Sequence, residues 1–157
     1  MMPGGRNDSF DVITADYVNE AIARLTLDSR ATGRTIHLCS GRLACTLGEM
    51  LDKAYEVWEC DSAWKKRRFA RPMLTDLETY NMFERAVMET GNVRLRELIS
   101  SLSYFVPQLA HPKIFDTASA DELLEIPPPR TRAYWQPMLM NLIASDWGVT
   151  QTRERAA

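Results

Sequence analysis

Apolar and polar positions follow two different periods along this chain. From Phe10 to Ala15 and from Thr35 to Cys39, short apolar runs carry β-branched and aromatic bulk, which predicts two strands. Between them Val18, Ala21, Ile22 and Leu25 recur at three- and four-residue spacing, so a helix fills the interval and turns Asn19, Glu20 and Arg24 to water. Asp16 stands where a carboxylate can accept from the free amides of a first helical turn. Ala31 to Gly33 break that helix, and Cys39-Ser40-Gly41 closes the second strand with turn chemistry. Two strands joined by a helix over about thirty residues predict a right-handed parallel crossover. Such a pair is seldom stable alone, because parallel strands are normally covered on both faces within a larger sheet. The pattern reads as the end of something bigger.

From Thr46 onward the period is helical. Thr46 with Glu49, Thr75 with Glu78 and Ser119 with Glu122 each match a capping box, in which hydroxyl and carboxylate satisfy reciprocal backbone donors. Leu47, Met50, Leu51, Ala54, Tyr55 and Trp58 form the first stripe; Leu77, Tyr80, Phe83 and Val87 form the second, closed near Gly91. Asn92 caps a third helix with Leu95, Leu98, Ile99, Leu102 and Phe105 inward, stopped by Pro107. A last long helix starts near Pro137 and turns Met138, Leu139, Leu142, Ile143 and Trp147 inward, after a stiff connector at Pro127-Pro128-Pro129. The expected fold is α/β and helix-rich, with a short parallel strand-helix-strand unit followed by about five helices. Residues 1–9 are expected to be a flexible lead-in, 10–45 the strand-helix-strand unit, 46–148 a helical subdomain and 149–157 a flexible tail.

Composition narrows the classes. At 157 residues and 45% hydrophobic, the chain can bury the core of one ordinary domain. A net charge of −2 argues against a dedicated nucleic-acid or membrane-surface protein. No apolar run approaches about eighteen residues and no charged-then-apolar leader opens the chain, so neither a membrane span nor a secretory signal is expected. Cys39, Cys45 and Cys60 are odd in number and match no metal spacing, which fits free thiols and a cytoplasmic address.

Phe10-Asp11-Val12-Ile13-Thr14-Ala15-Asp16-Tyr17-Val18, then Ala21-Ile22, then Gly33-Arg34-Thr35-Ile36-His37-Leu38-Cys39-Ser40-Gly41 resemble the C-terminal part of extended short-chain dehydrogenases/reductases. Phe115-Asp116, Leu123-Leu124, Tyr134-Trp135 and Trp147-Gly148 look closest to the thioester-reductase and fatty-acyl-reductase branch, so the likeness covers most of residues 10 to 148. The resemblance implies an incomplete Rossmann-type reductase whose helical part walls off a thioester, acyl or related carbonyl substrate, free or bound to a carrier protein. It also implies NADP or NAD in the complete enzyme and an N-terminal Rossmann half as partner. Phe10, Ser40 and Gly41 are the substrate contacts expected on this basis.

The nucleotide machinery itself is missing from the sequence. No pair of glycines approaches the Gly-rich turn that lets backbone amides and a helix N-terminus hold a pyrophosphate. The family's proton donor is a Tyr with a Lys four residues on, whereas Tyr17, Tyr55, Tyr80, Tyr104 and Tyr134 are followed there by Ala21, Glu59, Glu84, Gln108 and Met138. No cofactor site and no catalytic residue are therefore assigned to this chain alone. His37 reads as a core imidazole in a strand, and His111 as a loop residue with no nucleophile motif beside it. Ser40 lacks the Gly-x-Ser-x-Gly frame of a nucleophile elbow.

One charge feature stands out: Trp64-Lys65-Lys66-Arg67-Arg68-Phe69-Ala70-Arg71 places five cations within seven residues, beside two aromatics. A solvated loop is the simpler reading. The functional reading adds Arg67, Arg68 and Arg71 to the substrate contacts, as donors to a phosphate on a pantetheine arm, coenzyme A or nucleotide tail. A non-catalytic binding or assembly module, dimeric through exposed strand edges, is the alternative to a reductase portion.

Overall fold

The computed structural model describes residues 1–68 and 70–147. Helices dominate: α1 (Ala15–Leu27), α2 (Leu47–Trp58), α3 (Ser62–Arg67), α4 (Leu77–Met88), α5 (Val93–Leu102), α6 (Val106–Ala110), α7 (Ala118–Leu123) and α8 (Thr131–Ala144). The strands are two residues each: β1 (Met2–Pro3), β2 (Ser9–Phe10), β3 (Cys45–Thr46) and β4 (Leu74–Thr75). β1 runs parallel to β4 with Met2 opposite Leu74, and β2 runs antiparallel to β3 with Phe10 opposite Cys45. The molecule is thus helix-rich with a small parallel two-stranded sheet, but the parallel pair is not the one expected.

The predicted crossover between residues 10 and 45 does not form. Phe10 pairs with Cys45, and Thr35 to Leu38 joins no helix, turn or ladder among the described residues, with a bend at Cys39. Ile36 and Leu38 instead lean on a cluster of Ala21, Ala120 and Leu124, while Thr35 and His37 are exposed. The alternating period is that of a strand; what it lacks is a partner. The lead-in is corrected as well. Met2 and Pro3 are paired, Pro3 is fully buried, and the carbonyls of Arg6 and Asp8 accept from the Gly48 and Leu47 amides at the start of α2. Gly48 permits that approach, since a Cβ there would stand 2.8 Å from the Arg6 carbonyl oxygen.

Helix boundaries follow local capping chemistry with five corrections. Thr46 and Glu49 form the expected box, and Asn92 caps α5 by accepting from the Leu95 amide. α4 is capped by Asp76, one residue later than predicted, whose carboxylate takes the Thr79 amide. α1 is capped by Thr14 rather than Asp16, which lies in the first turn where its charge still suits the helix dipole. Ser119 caps nothing: it lies inside α7, and Arg34 binds both its hydroxyl and the Glu122 carboxylate. Pro107 opens α6 instead of stopping the chain, as its missing N–H allows in a first turn. α8 begins at Thr131 and carries Pro137 inside it, because Tyr134 and Trp135 fix its first turns by donating to the Val12 and Met50 carbonyls.

α2 and α8 form the main packed pair, through Ala54, Val57 and Leu139 with Trp58, Trp135 and Ile143 around them. Of the predicted α1 stripe, Ala21 is buried but Ile22 is exposed, and Tyr17 takes the inward place. Leu98, Phe105 and Met138 are likewise exposed rather than inward. The tail 149–157 and Gly148 lie outside the described residues, as does Phe69 of the cationic run.

Candidate functional site

Two places hold the predicted site residues, one at each end of α2. At the first, Asp11 leaves β2 with its carboxylate between two backbone donors: the Ser40 amide reaches Oδ1 at 3.0 Å and the Gly41 amide reaches Oδ2 at 2.8 Å. Ser40 is right-handed helical and Gly41 left-handed, at φ +54°, so that successive N–H groups converge on one anion. Only glycine suits the second position. A Cβ there would also stand 2.8 Å from the Thr117 methyl and 3.1 Å from the Phe115 carbonyl oxygen.

Around this latch lie two clefts that share Phe115. One, of about 480 Å³, is lined by Ser40, Arg42, Asp116, Thr117 and Asp121; the other, of about 260 Å³, by Phe10, Asp11, His111 and Lys113. Phe10, Ser40 and Gly41 therefore do come together, around an aspartate that sequence reasoning left without a role. His37 is not a core imidazole. It is exposed, with Nδ1 3.3 Å from the Asp116 carbonyl oxygen and its ring 5.3 Å from Phe115. The Ser40 hydroxyl is buried without a partner in the described structure, and burial pushes the Cys39 thiol up, with the Asp11 charge adding to the effect. Neither group is poised as a nucleophile.

The converging amides that could cradle a phosphate are already taken by the Asp11 carboxylate, and a second negative charge would be repelled.

The second place is where α2 meets α3 and α8. Trp58, Trp64 and Trp147 pack with centroids 4.7 to 5.9 Å apart, and Tyr55 joins them edge-on. Tyr55 donates its hydroxyl to the Ala70 carbonyl at 2.8 Å, and burial raises its phenol although Arg71 pulls the other way. Arg71 stands 5.0 Å over the Tyr55 ring and pairs with Asp52 and Glu59, which removes it from the free cations. Lys65, Lys66, Arg67 and Arg68 are exposed on the last turn of α3 and just past it. Beside them an apolar groove of about 530 Å³ is lined by Val57, Cys60, Asp61, Met140 and Ile143. With α2 rising about 18 Å over its length, Arg67 and Arg68 are not brought to Phe10, Ser40 and Gly41.

Among the described residues no group of three or more His, Cys, Asp or Glu is arranged to hold a metal ion, and no helix is long and apolar enough to cross a membrane. No family model, no curated protein and no solved structure matches the chain.

Proposed function

We propose that the chain is the substrate-side portion of a cytoplasmic NAD(P)-dependent reductase of thioester, acyl or related carbonyl substrates, with the nucleotide held by a separate Rossmann part. The observation that carries this reading is the run from Thr35 to Leu38, which belongs to no helix and no ladder among the described residues. It has the inside-outside period of a strand, one side resting on α1 and α7 through Ile36 and Leu38, and a row of backbone groups with no ladder partner among the described residues. Unpaired amides and carbonyls in such a row are a template for another strand. The Asp11 latch fixes the Ser40-Gly41 turn that follows the run. The quoted resemblance assigns this stretch to a reductase sheet.

On this reading the helical part encloses the acyl group and excludes water, and the reacting groups lie in the partner. The test is thermal unfolding with NADPH, performed on this chain alone and on its mixture with a separately expressed N-terminal Rossmann half of a thioester reductase. A rise in midpoint that needs both partner and nucleotide is the expected result, since a ligand stabilises only the species that binds it. Absence of any rise in the mixture leaves the assembly-module alternative in its place.

A further inference from the structure

We propose that the C-terminal end of α3 with its cap, Lys65 to Arg68, is a binding site for a small ligand bearing two or more phosphoryl groups. The inference does not rest on the reductase reading. It rests on how the surrounding charges are disposed. The carboxylates of α2 and of the α3 cap are engaged: Asp52 and Glu59 by Arg71, Glu56 by Lys53, and Asp61 by the Ala63 and Trp64 amides that it caps, whereas Asp146, beside Trp147, has no ion pair among the described residues. Lys65, Lys66, Arg67 and Arg68 have no ion pair or hydrogen bond from their side chains among the described residues. Four exposed cations without an ion pair among the described residues thus follow one another in a protein whose net charge is −2. The arginine forks match phosphate oxygens two at a time, and the lysines add point charge.

The rings decide between phosphate-bearing partners. A single-stranded nucleic acid would stack its bases on free aromatic faces, but Trp58, Trp64 and Trp147 are half-buried against one another. The same packing withholds those rings from a lipid interface. What is left for recognition is charge and forked donors. Arg68 adds a second sign. It occupies the left-handed region at φ +51°, a conformation that glycine adopts without cost, yet the position carries a cation.

The experiment is equilibrium titration of the full chain, followed by tryptophan fluorescence, with inorganic tripolyphosphate, coenzyme A, orthophosphate, a (dT)₁₂ oligonucleotide and phosphatidylserine vesicles. Expected are saturable binding of tripolyphosphate and coenzyme A that weakens with salt, and little response to orthophosphate. Arg67→Glu with Arg68→Glu should lower both affinities at least about tenfold, the size of one lost charge-assisted contact. Arg94→Glu with Arg96→Glu on α5 should leave them unchanged. Arg68→Gly separates binding from folding, since it should raise the unfolding midpoint by about 2–4 °C while weakening tripolyphosphate. The proposal is overturned if tripolyphosphate fails to bind, if the Arg67/Arg68 reversal leaves its affinity unaltered, or if oligonucleotide or vesicles bind more tightly than either small polyphosphate.

Discussion

Asp11 is a single side chain that determines where two loops meet. Its carboxylate is the acceptor for two buried amides, so replacing it with alanine strands both donors away from water. Asp11→Ala should cost about 2–3 kcal/mol, and Asp11→Asn less, because the amide oxygen still serves one N–H. Gly41→Ala should destabilise by more than about 1 kcal/mol through its left-handed backbone, with the push against the Thr117 methyl added. Urea midpoints at an unchanged slope measure both, and an Asp11→Ala protein as stable as the parent would remove the latch from the account. This aspartate was in plain view in the sequence, but its partners lie about thirty residues on. Nothing local distinguishes an aspartate that fills such a nest from one that faces water. The glycine is similar: its φ is imposed by Thr117 and Phe115, which only the fold brings near.

Elements were legible to the extent that their signals are local. α2, α4 and α5 could be read because stripe, cap and stop all fall within about a dozen residues of one another. α3 and α6 are too short to show a period, and Pro107 reads equally as the end of one helix or the first turn of the next. The strands were not legible at all. Two-residue pairings carry no alternation, and each depends on a partner chosen at long range. The caps give a test at this scale. Thr46→Ala should cost about 1 kcal/mol, whereas Ser119→Ala should be nearly neutral because that hydroxyl serves only an exposed arginine. Acid should act through the same ends. The Thr46 amide holds the Glu49 carboxyl below its ordinary value, and the Thr79 amide does so for Asp76. A lowered folded-state value favours the ionised form, so this stability is whole above the ordinary carboxylate range and is lost as pH falls through the lower folded values. Thermal midpoints should therefore drop below about pH 4, and an Asp76→Asn variant should show a shallower drop.

At the scale of the molecule, two clusters divide the work. One joins α2 to α8, and the other presses Ile36 and Leu38 onto α1 and α7. The first is made of long helices with local signals, which is why the helix-rich character could be read in advance. The second needs chain segments separated by about a hundred residues, and the edge it supports has no ladder to stabilise it. Amide hydrogen exchange should reflect that division. The N–H groups of Ile36 to Leu38 should exchange fast in the isolated chain and those of the α2 interior slowly, while strand addition should slow the former. Fast exchange that persists in a stable complex would mean that the partner binds elsewhere.

The short parallel pair has a consequence for how the protein is made. Met2 and Pro3 find their partners, Leu74 and Thr75, about seventy residues downstream. At ribosomal rates that is a delay of about 4 to 15 seconds between synthesis of the two halves of this pair, during which Met2 and Pro3 are without their ladder and open to chaperones.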